Sequence, residues 1–359
     1  MTDPAASVLS ASPPPPDATS SPAAEAPEPL TFEERQRVLA QLDDIYDRLD
    51  QNRAGKDGDG DRAHPVMRSV HKHPYLNDGA AARLKAVDGL IGVGKTTLCK
   101  RLIEALKEQE AEREHRLVVE PVLNEALDMF YANPDDMAER FQLLQCCLCT
   151  SSARLAVIES AYAENSGTVL LDRSPLGNLS FALVHYLSGR IPESGFILYK
   201  AALCSNGPLC LPTTIHLHTL PEIANQRITM RMRETDPTRV CESGIPLEYL
   251  RRLDAVMLLV SAYAAARGRS RVHFVDWSQF GSTASVLNRL QGCDGAQSTK
   301  VSMKSLRAVR RQSEMMELLG LRKRATQTPA RNQEKKEEKE IWGEEQPGVR
   351  ACVEVSAGV

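Results

Sequence analysis

The sequence predicts an α/β fold, a five-stranded parallel sheet with helices on both faces. Three observations predict it. Five short apolar segments read as buried strands: Leu84–Val87, Leu117–Val119, Thr168–Leu171, Thr214–Leu217 and Val272–Val275. A helical pattern follows each, and strands alternating with helices build βαβ units around a parallel sheet. The first strand runs through the glycine-rich stretch Asp88-Gly89-Leu90-Ile91-Gly92-Val93-Gly94-Lys95-Thr96-Thr97 into Leu98–Ile103, which repeats apolar residues at helical spacing.

In chain order, residues 1–30 are rich in Pro, Ala and Ser, with Asp and Glu as the only charges, so they cannot bury a core and are expected to be disordered. Residues 31–51 read as an appended amphipathic helix. Thr31 and Glu34 form a capping box, and Val38, Leu42, Ile45 and Leu49 make an apolar stripe. Residues 52–82 are polar and Gly/Asp-rich, a linker. The globular domain is expected over 83–294. From 295 to 359 the chain reads as a helical and charged tail, with basic Lys304–Arg311, apolar Met315–Leu321 and the mixed charges of Lys335–Glu340.

Composition sets bounds on partners. The chain has 359 residues, 42% of them hydrophobic, enough for a real core. A net charge of −3 gives no basic field for nucleic acid. No apolar run approaches the ~20 residues of a membrane span. No Lys or Arg precedes Arg35, which argues against a presequence; the cytoplasm is the expected compartment and the mitochondrion the alternative. Nine cysteines at irregular spacings suggest free thiols in a reducing compartment; Cys146, Cys147 and Cys149 read as small apolar residues of a helix. His216 and His218 share a strand face, and with no third ligand nearby they read as packing residues.

The glycine-rich stretch fits G-x-x-x-x-G-K-[ST], with Gly89, Gly94, Lys95 and Thr96 in the fixed places. Such a loop turns backbone N–H groups toward phosphate oxygens, and the following helix adds its positive N-terminal end. Lys95 can reach the outer phosphates of a nucleoside triphosphate, and Thr96 can ligate Mg²⁺.

Ligands of parallel sheets bind beyond the carboxyl ends of the strands. There the second strand ends in Glu120-Pro121 and the third in Asp172-Arg173-Ser174. Phosphoryl transfer to an alcohol needs a base, a metal and positive charge on the moving group. Glu120, Asp172 with Thr96, and an arginine group supply them. Arg173 could neutralise phosphate or orient Glu120. Arg227 and Arg231 share one helix face, and Arg233 follows near the helix end that Asp236-Pro237 suggests. These arginines read as a flap closing over phosphates. Gln142 could pair with a base edge, and Phe141 or Phe181 could stack on the ring.

Taken in order, the motifs resemble the deoxynucleoside kinase family, which includes cellular deoxynucleoside kinases and herpesvirus-type thymidine kinases. The phosphate loop, Glu120-Pro121-Val122, Phe130-Tyr131-Ala132-Asn133-Pro134, Phe141-Gln142, Asp172-Arg173-Ser174-Pro175 and Leu220-Pro221-Glu222 carry the resemblance, together with Arg227-x-x-x-Arg231-x-Arg233 and Glu242–Leu250, over about 83–280. The resemblance implies a P-loop kinase fold with an arginine-rich lid, usually a homodimer. It implies ATP and Mg²⁺ as cofactors and a small-molecule deoxynucleoside, phosphorylated on its 5′-hydroxyl, as the partner. By residue, it makes Glu120 the general base, with Arg173 beside it. Asp172 takes the metal side with Thr96, and Lys95, Arg227, Arg231 and Arg233 stabilise the phosphates. Gly89, Gly92, Gly94, Lys95, Thr96, Thr97 and Asp276 hold ATP. Tyr131 and Glu242 hold the 3′-hydroxyl, while Phe141, Gln142, Arg173 and Phe181 shape the nucleoside site. Glu125 stands where relatives often have Trp, and Phe181 comes one position early with Ala182 in the expected place, so no base is assigned. The alternatives are a thymidylate-type nucleoside monophosphate kinase, which would need further basic groups, and a non-catalytic ATP-binding regulator or scaffold.

Overall fold

A computed structural model describes residues 28–54, 83–206, 213–234, 244–268, 270–292 and 300–321. Its centre is a sheet of β1 (Leu84–Gly89), β2 (Glu114–Val118), β3 (Ser166–Asp172), β4 (Thr213–His218) and β5 (Arg271–Asp276). The strand order is β2-β3-β1-β4-β5, and all pairings are parallel. The expected strands are all present. The largest offset is in β2, which starts three residues earlier than its apolar run and leaves Val119 outside. β2 is an edge strand with an exposed or half-buried outer half, so hydrophobicity marks only part of it.

Helices α2 (Lys95–Gln109), α3 (Asn124–Ala132), α4 (Pro134–Tyr162), α5 (Pro175–Leu187), α6 (Glu193–Asn206), α7 (Pro221–Glu234), α8 (Leu247–Ala266) and α9 (Thr283–Gln291) connect and cover the strands. On one face, α2 and α9 pack Leu98, Leu102, Leu106, Val286 and Leu290 against Val87, Leu170 and Ile215. The long α4 and the largely buried α8 lie in the cores on the other side. By length and composition α4 could cross a membrane, which the run-length criterion misses because polar residues interrupt it. Half of its most apolar window is buried here, as in a core helix.

Helix α1 (Phe32–Ala54) starts at the reciprocal bonds foreseen for Thr31 and Glu34, Thr31 N to Glu34 Oε2 at 2.9 Å and Glu34 N to Thr31 Oγ1 at 3.1 Å. Most of its stripe is covered: Val38, Leu42 and Ile45 are 0% exposed, and Leu49 is partly buried against the same core. Charge complements the packing. Asp43 accepts from Tyr263 and Arg267 of α8, Asp44 pairs with Lys200 of α6, and Glu34 pairs with Arg252 of α8. Leu42→Ala should therefore cost about 2–5 kcal/mol in denaturant unfolding, as for a core leucine; a loss below about 1 kcal/mol would mark α1 as a loose appendage.

Within the helical and charged tail expected from 295, residues 300–321 pack on the domain. There α10 (Met303–Ala308) and α11 (Gln312–Leu318) bury Leu306, Val309, Met315, Met316 and Leu319 in the same core as α1 and α8. The basic residues of this stretch hid it: Arg307 is exposed but pairs with Asp43. The segments 1–27 and Lys335–Glu340, read as disordered or solvated, lie outside the described residues.

The histidines of β4 are both buried, and a carboxylate the spacing did not show stands beside the second. His216 Nδ1 lies 2.8 Å from Ser261 Oγ and is held neutral by burial, its pKa down to about 3; His218 faces Asp254 at 3.4 Å. Among the described residues, no group of three or more His, Cys, Asp or Glu could hold a metal ion, and Cys146, Cys147 and Cys149 are free thiols.

Candidate active site

The glycine-rich loop leaves β1 at Gly89. A side chain there would stand 2.5 Å from Leu217 O of the neighbouring β4, at a φ of +147°. Gly94, at φ +98°, starts α2 with no side-chain cap, so first-turn N–H groups remain available to an anion. Lys95 arches back over the loop, Nζ donating to Gly89 O at 3.2 Å and Leu90 O at 2.8 Å. Burial, reinforced by the nearby Arg173 charge, pulls its pKa down to about 8, although Asp172, Glu120 and Asp88 oppose the shift. These influences place Lys95, Arg173, Asp172 and Glu120 around one small volume. The ammonium is the phosphate-binding form. It is present below about pH 8 and lost above, so kcat/KM for the phosphate donor should fall as pH rises through about 8. A flat profile from pH 7 to 9.5 would contradict this environment for Lys95.

Thr96 donates Oγ1–H to Asp172 Oδ2 at 2.5 Å. Asp172 is buried, and its Oδ1 has no hydrogen-bond partner among the described residues. A buried carboxylate oxygen left over beside a hydroxyl fits a hard cation such as Mg²⁺, which favours oxygen ligands.

The sheet register brings the acid and the arginine together. Val118 of β2 pairs with Leu171 of β3, and two residues past each stand Glu120 and Arg173. Arg173 Nε lies 2.8 Å from Glu120 Oε1 and 2.9 Å from Oε2, and its Nη1 donates to Gly89 O at 3.3 Å. The guanidinium also lies 4.7 Å from the Phe181 ring centroid. Burial would lower the Arg173 pKa, but Glu120, Asp88 and Asp172 hold it above its ordinary value. Arg173 has a φ of +89°, a conformation costing a non-glycine residue about 1–3 kcal/mol. It points the guanidinium back between Glu120 and the loop.

The groups enforcing this turn had no role in the sequence reading. Asp88, fully inside the sheet, accepts from Ser174 N at 2.8 Å and Ser174 Oγ at 2.5 Å. Ser174 Oγ in turn accepts from Gly177 N at 3.0 Å and caps α5, with Pro175 in the first helical turn. A Cβ on Gly177 would meet Asp88 Oδ1 at 2.4 Å and Arg173 Cγ at 2.9 Å. The available signal was Ser-Pro followed by a glycine after a strand-end arginine, a cap pattern. Gly177→Ala should thus displace Arg173 and lower kcat at least tenfold while melting only modestly earlier; wild-type kcat would contradict this packing.

The expected nucleoside-binding residues line α3 and α4. Phe141 and Gln142 are buried on α4, and Phe130 of α3 stacks on Phe141 with centroids 4.8 Å apart. Gln145, one turn on, donates to Pro121 O at 2.9 Å and so ties α4 to the segment after Glu120. Tyr131, Ile91 of the loop and Tyr249 pack against one cluster, Ile228, Ile245 and Leu250. Phe181, read as a stacking ring, gives one face to Arg173. Glu242 lies outside the described residues.

Among the arginines of α7, Arg227 is already engaged. It donates to Val93 O at 3.3 Å, Trp277 O at 3.2 Å and Ser278 O at 3.0 Å, and stacks 4.2 Å from the Phe280 ring centroid. It ties the phosphate loop to the segment after β5, and burial lowers its pKa to about 10. Asp276 holds that segment's turn through Ser278 N at 3.0 Å. Arg231 is half-buried one turn further along α7. The Arg233 backbone is still helical, and its side chain lies outside the described residues.

The sequence profile of the deoxynucleoside kinase family matches residues 86–278. No curated protein matches the chain. Among solved structures, deoxyadenosine kinase from M. mycoides aligns with this chain. Its form with dCMP and dCDP aligns at 18% identity and TM-score 0.46, covering 58% of this chain and 97% of that one. Its dATP and dCTP forms align at 18% identity and TM-score 0.45, covering 58% of this chain and 98% and 99% of theirs.

Proposed function

This chain belongs to the deoxynucleoside kinase family, and we propose that it transfers the γ-phosphoryl group of ATP to the 5′-hydroxyl of a deoxynucleoside. The observation that carries this reading is the Glu120 carboxylate at the mouth of the phosphate loop, gripped by Arg173 and sharing its surroundings with Lys95 and Asp172. The sugar alcohol oxygen attacks the γ-phosphorus as its proton passes to Glu120. The bond from that phosphorus to the bridging oxygen breaks, and the electron pair leaves with ADP. Arg173 fixes the acceptor oxygens of Glu120 toward the alcohol, so little reorganisation is needed in the transition state. Lys95 and the N-terminus of α2 stabilise the phosphate charge. Thr96 and Asp172 would hold Mg²⁺, which when bound would supply positive charge to the donor phosphates. Gln142 reads the base, Tyr131 and Glu242 hold the 3′-hydroxyl, and Arg227, Arg231 and Arg233 form a lid. Arg227 leaves its carbonyl partners for phosphate when the donor binds.

The test separates nucleoside from nucleotide as acceptor. With Mg-ATP, the purified chain should phosphorylate at least one deoxynucleoside far faster than it phosphorylates the matching monophosphate. Preferential turnover of the monophosphate would replace this reading with the thymidylate-type one.

We propose a homodimer through α4 and α6. They pack on one another and leave Leu144, Leu155, Ile197 and Leu198 exposed, which a partner would cover. Sedimentation should give twice the chain mass, and Leu155→Glu should shift it toward monomer.

A further inference from the structure

Aromatic rings run without a break from the expected base site to a separate cavity. Phe141, next to Gln142, stacks on Phe130 with planes 13° apart. His185 of α5 meets Phe130 edge-on, centroids 5.3 Å apart at 83°. Tyr249 of α8 stacks on His185 at 5.6 Å and 30°, its hydroxyl 3.4 Å from His185 Nε2. Burial keeps this imidazole neutral, its pKa down to about 4, so Tyr249 is the donor. His185 Nδ1 is buried without a hydrogen-bond partner among the described residues. The ring is thus held by stacking on its neighbours, at a net cost in polar satisfaction.

Tyr249 packs, as do Tyr131 and Ile91, against the cluster of Ile228, Ile245 and Leu250, close enough to Arg173 to feel its charge. Tyr249 also lines an open surface cavity of about 350 Å³, with Val184, Ser188, Arg190, Pro246 and Arg252. That volume is within the range of small-ligand pockets.

We propose that the Phe130–His185–Tyr249 wall sets the size limit of the base site, by closing it off from this outer cavity. This rests on the nucleoside kinase reading above. Tyr249 and His185 are then specificity-determining residues, and truncating either joins the two spaces. The substrate gained would be a deoxynucleoside whose base carries an added rigid substituent.

The experiment compares kcat/KM for an accepted deoxynucleoside with that for the same nucleoside bearing a propynyl group, on C5 of a pyrimidine or on C7 of a 7-deazapurine. It uses the full chain as wild type, Tyr249→Ala and His185→Ala, with thermal melting to confirm folding. Wild type should disfavour the enlarged base at least about tenfold, in line with the cost of surplus groups in a tight pocket. Either folded variant should reduce that discrimination at least tenfold, and Tyr249→Phe, which keeps the ring, should retain it. Unchanged discrimination in an active truncated variant overturns the proposal, as does a wild type indifferent to the propynyl group. If wild type turns over no deoxynucleoside, the kinase reading itself fails, a distinct result. Two truncations on different helices guard against one that does not fold.

Discussion

Glu120→Gln is expected to lower kcat for deoxynucleoside phosphorylation by roughly 10²–10⁴-fold, the usual worth of a positioned general base. The substitution keeps the shape, and its amide oxygen can still accept from Arg173 Nε, now 2.8 Å from the carboxylate. What disappears is the ability to take a proton from the alcohol. KM for both substrates should change little, because the carboxylate binds the transition state more tightly than the ground state. Single-turnover rates with saturating Mg-ATP give the chemical step directly. The charge change leaves Arg173 with Asp88 and Asp172 as neighbouring anions, so the variant should still melt cooperatively.

Arg173 offers the second large effect. Arg173→Ala removes the Glu120 clamp, the bond to Gly89 O and the contact with Phe181 in one change. We expect kcat to fall at least 10²-fold, since the base is then free to turn away from the alcohol. Arg173→Gly should be equally inactive but more stable than Arg173→Ala by about 1–2 kcal/mol, because a φ of +89° is natural to glycine and strained for alanine. Denaturant unfolding of the pair measures this difference free of any charge effect. Equal stabilities would mean the turn relaxes when the guanidinium is gone, and that the strain belongs to the side chain's grip.

Much of this architecture was legible in the sequence because burial and backbone demands write themselves in residue type. Central strands covered on both faces concentrate apolar residues in short segments, as Leu84, Ala86 and Val87, Val169–Leu171, and Ile215 and Leu217 do, so β1, β3 and β4 stood out. Gly89, Gly94, Lys95 and Thr96 declared the phosphate loop by spacing. Glu120 and Arg173 were visible as strand-end residues, but their pairing depends on the register of β2 against β3, which no local pattern encodes. Asp88 is a similar case. An acid inside a strand reads as an irregularity until Ser174 is found opposite it. The packing of 300–321 on the domain was not legible because Lys304, Arg307, Arg310 and Arg311 outweigh the scattered Leu306, Val309, Met315 and Met316 in a composition window, though the latter are buried. The aromatic wall could not be seen at all, since Phe130, His185 and Tyr249 come from three helices far apart in sequence.

The most direct test is to incubate the purified chain with Mg-ATP and each deoxynucleoside in turn, and to identify the products by mass and by phosphate position. The account predicts a 5′-monophosphate from at least one of them, formed by wild type and lost in Glu120→Gln, whose ATP affinity is retained. Equal rates of that product from wild type and Glu120→Gln would contradict it.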